Sequence, residues 1–428
     1  MLALYSLAWW LGMPLVLARL WWRGRTEPGY RRHVAERLGF YRASAFDAYR
    51  GRVLWVHAVS VGETRAAEPL IEALLAAYPG YGVLLTHMTP TGRAAGKALF
   101  GEHAGRLFQC YLPYDTGWMT GRFLKRYAPR LGVLMETEVW PNLIAQCTRH
   151  HVPVALVNAR LSERSLSKAR RLSGLMRPAA AGVTRVAAQT EADAQRLRQF
   201  GVEDVEVTGS IKFDVRPPLE AQARGTVLRA QFGARPVLLC ASTREGEEAL
   251  ILDAWQEREP DETLLVIVPR HPHRFDEVAR LVAARGMEMR RRSTLGDAAL
   301  PSGVNVLIGD SMGEMFVYFA ACDIAFIGGS LLPLGGQNLI EACALGKPVL
   351  TGLHTFNFGA ITTDAIEAGA ACRVADAKEM LAQAGRLLRD HDARLSMGAK
   401  ARDFAQRQRG ATTRTMTLLT ALIAKNRA

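Results

Sequence analysis

Cysteine is scarce in this sequence of 428 residues, and none of its six cysteines forms a C-x-x-C pair with another. The absence of this spacing excludes a zinc ribbon and a redox-active dithiol of the usual kind. Several cysteines fall in apolar segments, so we expect them to be small buried hydrophobic residues in a reducing compartment. The adjacent His150 and His151 and the segment RHPHR (270–274) also lack a metal-ligand spacing, so no metal is expected.

Acidic residues are outnumbered, since 41 aspartates and glutamates face 54 lysines and arginines, which gives a net charge of +13. This excess suggests an anionic partner: nucleic acid, an acidic membrane surface or a phosphorylated substrate. Low-complexity segments are absent, and 49% of the residues are hydrophobic. Such a composition is typical of a globular protein, and the length predicts two domains of about 200 residues each.

The common nucleotide-binding signatures are also missing. No G-x-G-x-x-G follows the first predicted strand of either half, so a dinucleotide cofactor is not supported. Gly346 and Lys347 are followed by Pro348 rather than by Ser or Thr, which excludes a Walker A loop. The one D-x-D sequence, DHD (390–392), falls in a predicted surface helix near the C-terminus. These absences favour a metal-independent enzyme.

The N-terminus is a long apolar segment, with eighteen residues before the first charge at Arg19. It approaches the length that crosses a bilayer, although Pro14 and Arg19 weaken a clean span. Tryptophan pairs and the arginines that follow suit a membrane anchor over residues 1–24, with the rest of the chain in the cytoplasm. A spanning anchor and one lying in the interface both fit, and a buried core helix is the alternative.

From residue 50 onward, short apolar runs alternate with helical patterns, which predicts parallel sheets covered by helices on both faces. The alternation breaks at GSIKFDVRPP (209–218) and then restarts. We therefore expect an α/β fold of two doubly wound domains, 25–214 and 215–428, with a last helix that could cross back to the first. The predicted strands are 53–59, 82–88, 131–136, 152–157, 184–189, 205–209, 236–241, 263–269, 304–308, 324–328, 348–351 and 371–375.

Carboxylates stand where predicted strands end in the first half. Glu63 lies at the strand-to-helix edge of VLWVHAVSVGETRAAEPL (53–70), and Glu136 and Glu138 follow the strand in VLMETEVWPN (133–142). Side chains at such edges face the ligand in doubly wound sheets, so acid, base or electrostatic roles are candidates. Ion pairs with the many arginines are the alternative for Glu136 and Glu138. Lys212, in the predicted linker, would lie beside the same crevice.

The second half carries a glycine-rich loop in FIGGSLLPLGGQNLIEACALGKPVLTG (326–352), with a helix predicted to begin near Asn338. Its glycines could admit a phosphate, and Glu341 could accept hydrogen bonds from a ribose diol; tight turns alone are the alternative. Pro269 and Arg270 lie at the end of another predicted strand, where a cluster of cationic residues begins. Such a cluster could bind a phosphate, and a solvated loop rich in charge is the alternative. Ser311 and Glu314 have the spacing of a helix cap.

Eleven ordered segments of the sequence resemble the 3-deoxy-D-manno-octulosonic acid (Kdo) transferases. They are HAVSVGE (57–63), MTPTG (88–92), YLPYD (111–115), METEVWPNL (135–143), NARLSERS (158–165), TGSIKFD (208–214), STREGEE (242–248), VPRHPHRF (268–275), GDSMGE (309–314), GGSLLPLGGQNLIEA (328–342) and HTFNF (354–358). The resemblance implies a GT-B glycosyltransferase of two Rossmann-like domains facing a cleft, anchored at the cytoplasmic face of an inner membrane. It implies CMP-Kdo as donor, a lipid A precursor as acceptor, and neither a metal nor a nucleic acid as partner.

The resemblance also assigns roles to individual residues. Glu63 takes the position of the catalytic base, and Glu136 and Lys212 fall on positions that stabilise the transition state. The CMP site would use Pro269, Arg270, Met312, Gly313, Glu314, Asn338, Leu339, Ile340 and Glu341. Arg244 and His273 depart from the expected pattern, which has His and Glu at these places.

Three other interpretations stay open at this level. A GT-B transferase with another nucleotide sugar and a nucleotide-sugar epimerase share the predicted architecture. A membrane-bound binding protein would use the basic surface on lipid or nucleic acid, but it leaves the glycine-rich loop and the strand-end carboxylates unexplained. Within the Kdo transferase reading, the same motifs accommodate the addition of one, two or more Kdo residues to an acceptor with or without a phosphate.

Overall fold

The chain folds into two compact units, each built around one seven-stranded parallel sheet. The computed structural model describes residues 1–259 and 261–425. The first unit contains Met1–Asp214 together with the segment from Gln408 onward, and the second contains Val215–Arg407. The predicted linker (209–218) contains the point of division.

The first unit alternates strands and helices after an N-terminal helical segment. Its strands are β1 (Val53–His57), β2 (Gly82–His87), β3 (Leu107–Tyr111), β4 (Pro129–Met135), β5 (Val154–Ala159), β6 (Arg185–Ala188) and β7 (Val205–Val207). Its helices are α1 (Leu2–Arg23), α2 (Val34–Arg37), α3 (Val61–Ala77), α4 (Pro90–Leu99), α5 (Gly117–Tyr127), α6 (Pro141–Arg149), α7 (Glu163–Arg171), α8 (Ser173–Ala181), α9 (Glu191–Phe200) and, at the C-terminus, α18 (Ala411–Lys425).

The second unit repeats this alternation. Its strands are β8 (Val237–Thr243), β9 (Leu264–Pro269), β10 (Met289–Arg291), β11 (Val306–Ile308), β12 (Ile324–Ile327), β13 (Val349–Thr351) and β14 (Ala371–Arg373). Its helices are α10 (Leu219–Phe232), α11 (Glu247–Glu257), α12 (Phe275–Ala283), α13 (Met315–Ala321), α14 (Ile340–Ala344), α15 (Gly359–Glu367), α16 (Ala377–Arg389) and α17 (His391–Arg407).

The strand order gives each sheet one point at which its connections change direction. The first sheet has the order β3-β2-β1-β4-β5-β6-β7, so the chain leaves β1 toward one edge and β4 toward the other. The second has the order β10-β11-β9-β8-β12-β13-β14, with the corresponding point between β8 and β12. Doubly wound sheets bind their ligands outside the carboxyl ends of the strands at such a point.

Both faces of the first sheet are buried, which explains why its strands are almost continuously apolar. Trp55 and Leu134 belong to the core on one face, whereas Leu54 and Val133 belong to the core on the other. The central strands β1, β2 and β5 therefore supply side chains to two cores, and none of them contains an Asp, Glu, Lys or Arg residue. Charged residues can follow only where the strands end.

Two strands of the structure were not predicted, and both lie at a sheet edge. β3 contains Gln109 in its middle, and β10 has the sequence MRR. An edge strand pairs on one side only and keeps part of its surface exposed, so it does not need a continuous apolar run. The remaining twelve strands overlap the predicted ones, with ends that differ by up to two residues.

The cysteines are mostly buried, as expected from the apolar segments that contain them. Cys110, Cys147, Cys240, Cys322 and Cys343 are buried free thiols, and Cys372 is partly exposed. Burial raises the pKa of the Cys343 thiol to about 12, which keeps it protonated and unreactive near neutral pH. These residues act as small core side chains.

Helix α1 packs one of its faces against the rest of the first unit. Ser6 Oγ donates a hydrogen bond to Asn142 Oδ1 at 2.9 Å, and the Trp9 ring stacks on Tyr114 with centroids 5.6 Å apart. The opposite face is exposed and apolar, and Leu11 and Leu15 on it keep about three quarters of their surface accessible (73% and 75%). Within the described residues, α1 is the one helix long and apolar enough to cross a membrane, which by itself is weak support for an anchor.

The C-terminal helix α18 returns to the first unit, where Leu418 and Leu419 join the core that contains Leu54. The side chain of Asp214 holds the start of this helix. The two carboxylate oxygens of Asp214 accept hydrogen bonds from the backbone N–H groups of Gly410 and Thr412. The carboxylate therefore caps the helix and complements the positive end of its dipole.

We predict that Asp214→Ala lowers the free energy of unfolding by about 1–2 kcal/mol, because two helix-start N–H groups lose their acceptor. The change in the urea midpoint of the purified protein measures this loss. Asp403→Ala is the control, since Asp403 is exposed and its ion pair with Arg407 is long, at 3.7 Å. A midpoint in Asp214→Ala that matches the control would show that the cap contributes nothing.

Candidate active site

The predicted carboxylates of the first unit gather at the point where its sheet changes direction. Glu63 lies in the first turn of α3, which follows β1, and Glu136 and Glu138 follow β4. Since β1 and β4 are neighbouring parallel strands, their carboxyl ends open into the same crevice. Glu136 and Glu138 both contribute to the electrostatic environment of Glu63, as expected for groups that share one site.

Glu63 also has a structural role that the sequence pattern S-x-x-E (60–63) signals and that was missed. Ser60 is the N-cap of α3, and its Oγ accepts a hydrogen bond from the Glu63 N–H at 3.4 Å. The Glu63 carboxylate in turn accepts from the Val59 N–H at 2.9 Å and from Ser60 Oγ at 3.2 Å. This arrangement resembles a capping box, and it holds the carboxylate in one position.

The surroundings of Glu63 favour its protonated form more than water does. Burial raises its pKa to about 7, and the negative charges of Glu138 and Glu136 act in the same direction. The hydrogen bond from the Val59 N–H opposes this shift. A carboxyl group with a pKa near neutrality can accept a proton from a hydroxyl more readily than an ordinary surface glutamate can.

Glu136 and Lys212, which were predicted to share a role, form an ion pair. Lys212 Nζ lies 2.7 Å from Glu136 Oε1, and the Asn158 amide approaches the same oxygen at 3.5 Å. Glu136 and Asn158 both have positive backbone φ angles, of 54° and 52°, at the ends of β4 and β5. Non-glycine residues adopt this conformation at a cost, and such residues cluster at functional sites.

Glu138 has a tryptophan rather than an arginine as its partner. The Trp140 indole N–H donates to Glu138 Oε2 at 2.8 Å, and burial raises the pKa of Glu138. The edge of the Trp140 ring meets His57, whose centroid is 5.5 Å away. Complete burial lowers the pKa of His57 to about 3, so this imidazole is neutral and serves the packing of the site.

The predicted nucleotide-binding residues of the second unit also follow neighbouring strands. Pro269 is the last residue of β9 and Arg270 comes next, the turn 312–314 lies between β11 and α13, and the segment 338–341 follows β12. Strands β11, β9, β8 and β12 are consecutive in the sheet. The four strand ends therefore lie along the same carboxyl edge, on either side of the point where the sheet changes direction.

A buried glutamate that was given no role in the sequence holds two of these strand ends together. The Glu247 carboxylate accepts backbone N–H groups from Gly329 (2.5 Å), Ser330 (2.9 Å) and Leu331 (2.9 Å), which follow β12. It also accepts the N–H of Arg244, which follows β8, at 2.9 Å. This carboxylate fixes the first part of the glycine-rich loop against the loop after β8.

Glu248, the next residue, anchors the cationic segment RHPHR. Its carboxylate accepts from Thr243 Oγ1 at 2.8 Å and pairs with Arg274 Nη1 at 3.3 Å, and both charged side chains are almost fully buried. The alternative that this cationic segment is merely a solvated loop is therefore wrong for Arg274, whose side chain is buried. Arg270 differs, because its side chain is exposed and its backbone N–H bonds to Thr243.

The glycine-rich loop itself is explained in part by packing within the protein. A Cβ atom on Gly328 would lie 2.6 Å from Thr243 Cα, so the space beside this glycine is filled by the chain and not by a ligand. The following helix, α14, begins at Ile340 rather than at Asn338. Leu339 is its N-cap position. Asn338 lies one residue earlier, where its Oδ1 accepts the Ile340 N–H at 3.0 Å and its amide donates to Glu341 at 3.1 Å.

The turn Met312-Gly313-Glu314 is built differently from the predicted cap. Helix α13 begins at Met315, so Glu314 is its N-cap position and Ser311 is not. Ser311 Oγ instead donates to Glu314 Oε2 at 2.6 Å, and Glu314 forms an ion pair with Arg224. These three side chains, with Arg292, line a cavity of about 600 Å³ beside the predicted nucleotide site.

Comparisons with known proteins give one consistent family. Residues 32–215 match the sequence profile of the family described as 3-Deoxy-D-manno-octulosonic-acid transferase (kdotransferase). The chain is 48% identical to the 3-deoxy-D-manno-octulosonic acid transferase of Bordetella pertussis over 95% of its length and 96% of that protein. It is 36% identical to the transferase of the same name from Haemophilus influenzae, over 96% of both chains.

Solved structures confirm the fold. The Anabaena protein HepE in complex with UDP superposes with a TM-score of 0.59 at 17% identity, over 87% of this chain and all of that one. At this identity the likeness concerns architecture alone. The two parallel sheets with their covering helices are those of a GT-B glycosyltransferase, as the resemblance in the sequence predicted.

We predict that Glu247→Gln lowers the free energy of unfolding by at least about 3 kcal/mol. An amide has one acceptor oxygen where the carboxylate has two, and its NH₂ group would face backbone donors. The thermal unfolding midpoint and the protease susceptibility of the segment 328–337 are the measurements. Glu245→Gln, on an exposed neighbour, is the control and should change stability by less than about 0.5 kcal/mol. Equal stability of the two variants would contradict this account of the loop.

Proposed function

The chain belongs to the 3-deoxy-D-manno-octulosonic acid (Kdo) transferase family, and from this membership we propose its reaction. It transfers Kdo from CMP-Kdo to the lipid A disaccharide precursor, lipid IVA, with inversion at the anomeric carbon. The observation that carries the proposal is the position of Glu63, a carboxylate with a raised pKa at the crevice of the first sheet, beside the Glu136–Lys212 ion pair.

Glu63 acts as the general base. An acceptor hydroxyl is a poor nucleophile at neutral pH, so its proton must be removed as the new bond to the anomeric carbon forms. A base with a pKa of about 7 is half ionised at that pH and is stronger than an ordinary carboxylate. The hydrogen bonds from Val59 and Ser60 keep the acceptor oxygens of Glu63 in place before the substrate arrives.

Glu136 and Lys212 stabilise the transition state. As the bond to CMP breaks, negative charge grows on the departing phosphate and positive charge grows on the sugar ring. An ion pair held at 2.7 Å presents one charge of each sign and needs no reorganisation during the reaction. The positive φ angle of Glu136 is consistent with a residue that is held in position for such a role.

The second unit binds the nucleotide of the donor through the residues that follow β9, β11 and β12. Arg270 compensates the phosphate charge, and the turn 312–314 and the segment 338–341 surround the ribose and base. Glu247 and Glu248 keep these loops in place through their contacts with Gly329 and Arg274. We propose that this compensation by side chains makes the transferase independent of a metal ion.

Helix α1 anchors the protein to the cytoplasmic side of the inner membrane, where a lipid acceptor is found. Its outward face carries Leu4, Leu7, Leu11 and Leu15, which are all exposed. Exposed apolar side chains in one stripe are costly in water and favourable at a membrane surface. Arg19, Arg23 and Arg25 near its end suit anionic lipid headgroups.

The most direct test is mass spectrometry of tetraacylated lipid A precursor after incubation with CMP-Kdo and the purified protein. We expect a mass gain of one or more Kdo units, whose number also gives the count of residues transferred. No gain with folded protein would favour the rival reading, a GT-B transferase with another nucleotide sugar. Binding of lipid or nucleic acid without turnover of any nucleotide sugar would favour the membrane-bound binding protein.

We predict that Glu63→Gln lowers kcat by at least about 100-fold. Glutamine can still accept the Val59 N–H, so the helix cap and CMP binding should survive. Glu68→Gln, on a partly buried residue of the same helix, is the control and should keep the wild-type rate. A wild-type rate in Glu63→Gln would show that another group is the base.

The same assignment predicts the pH dependence of the wild-type enzyme. Because protonated Glu63 cannot accept a proton, kcat/KM should fall as the pH decreases through about 7 and level off above it. A base with an ordinary glutamate pKa, about 4.3, would instead give a flat profile above pH 6.

A further inference from the structure

We propose that a groove beside α1 in the first unit holds an acyl chain of the lipid acceptor. This inference rests on the proposed function, which makes the acceptor an acylated disaccharide, and it adds the binding site for the apolar part of that molecule. The groove has a volume of about 460 Å³, which is in the range of small-molecule sites.

The walls of the groove come from three helices and are almost entirely apolar. Helix α1 contributes Leu4, the start of α6 contributes Trp140 and Pro141, and α8 contributes Leu175 and Met176. A chain of methylene groups gains free energy for each group that such walls remove from water. The shape and chemistry therefore match an alkyl chain better than a polar ligand.

The rim of the groove is apolar as well. Leu4 on one side and Leu172 on the other keep 66% and 53% of their surface exposed. Two large apolar side chains at the mouth of an apolar groove remain in contact with water unless something covers them. An acyl chain that enters from the membrane surface would cover both.

One wall connects the groove directly to the candidate active site. Trp140 lines the groove with its ring, while its indole N–H donates to Glu138 at 2.8 Å. Glu138 in turn is one of the charges that raise the pKa of Glu63. An acyl chain in the groove would thus place the sugar to which it is attached near the carboxylates that act on it.

Charge complementarity supports the same occupant. Helix α7 ends at Arg171, directly before Leu172 at the rim, and it carries exposed Arg164, Lys168 and Arg170. Cations beside an apolar groove suit an anionic headgroup with an attached hydrocarbon chain. A peptide or a second copy of the chain would not require that combination.

The test compares two acceptors, the tetraacylated disaccharide and the same disaccharide after its acyl chains are removed. The variant Leu172→Gln/Met176→Gln makes the groove polar and leaves the carboxylates untouched. We expect its KM for the acylated acceptor to rise about tenfold or more, with kcat and the KM for the deacylated acceptor unchanged. Leu172→Met/Met176→Leu keeps the groove apolar and should behave as the wild type does.

A third variant, Leu395→Gln, removes an exposed apolar side chain of α17 in the second unit, which belongs neither to the groove nor to the apolar face of α1. It should leave both KM values unchanged, and co-sedimentation with anionic vesicles reports any change in membrane binding. An unchanged KM for the acylated acceptor in the groove variant would overturn the inference. So would an equal rise for both acceptors, or weaker vesicle binding with no effect on either KM, which would assign the groove to a membrane lipid.

The proposed function is tested first and separately, by transfer to the acylated acceptor with wild-type protein. If the wild type transfers Kdo to neither acceptor, the proposed function fails and the inference fails with it. If the wild type is active and only the comparison of variants fails, the reaction stands and the acyl site is wrong.

Discussion

The burial of both faces of each parallel sheet is the constraint on which the rest of the structure depends. A strand that packs against helices on two sides has no room for charge along its length, so polar chemistry is confined to its ends. Parallel strands place all their carboxyl ends at one edge. The order of the strands then selects the point along that edge, between β1 and β4 in the first unit and between β8 and β12 in the second, where neighbouring connections diverge and leave space.

At these edges, buried carboxylates have different roles, structural or chemical, which depend on their partners. Glu247 accepts four backbone N–H groups, and Glu248 accepts the Thr243 hydroxyl and pairs with the buried guanidinium of Arg274, so both carboxylates hold loops in place. Glu63 lies at the crevice between the ends of β1 and β4, and burial raises its pKa to about 7, which leaves it able to exchange a proton near neutral pH. Glu136 lies between these cases, since its pairing with Lys212 supplies two opposite charges in a fixed position.

In the proposed function, helix α1 gives the first unit a role in addition to that of its sheet. One face of α1 is held on α6 through Ser6 and Asn142, and α6 begins beside Trp140, which contacts Glu138. In the proposed function, the same helix offers its apolar surface to lipid and also forms one wall of the groove, next to Trp140. In the proposed reaction, the acceptor's hydrocarbon and sugar parts are recognised by adjacent parts of one unit.

Much of this arrangement can be read from the sequence because it follows from local and periodic signals. Apolar runs at regular intervals predicted twelve of the strands, and ordered motifs predicted the family and its fold. The two missed strands, β3 and β10, lie at sheet edges, where an apolar run is not required. The capping pattern was assigned to Ser311 and Glu314, whereas it is found at Ser60 and Glu63, since the four-letter pattern does not show where a helix begins.

The tertiary structure decided which charged residues meet. Glu136 and Lys212 are 76 positions apart in the sequence, and Glu247 reaches Gly329 across 82 positions. No local rule brings such residues together, because their distance depends on strand order and on the positions of buried side chains. The sequence by itself determined the alternation of strands and helices, the apolar N-terminus and the family. The folded chain determined which carboxylates bind backbone N–H groups or cations, which of them have a raised pKa, and which helices enclose the groove. The physical reason is that the spacing of apolar residues is a property of short segments, whereas partners, burial and pKa values arise only when distant segments pack together.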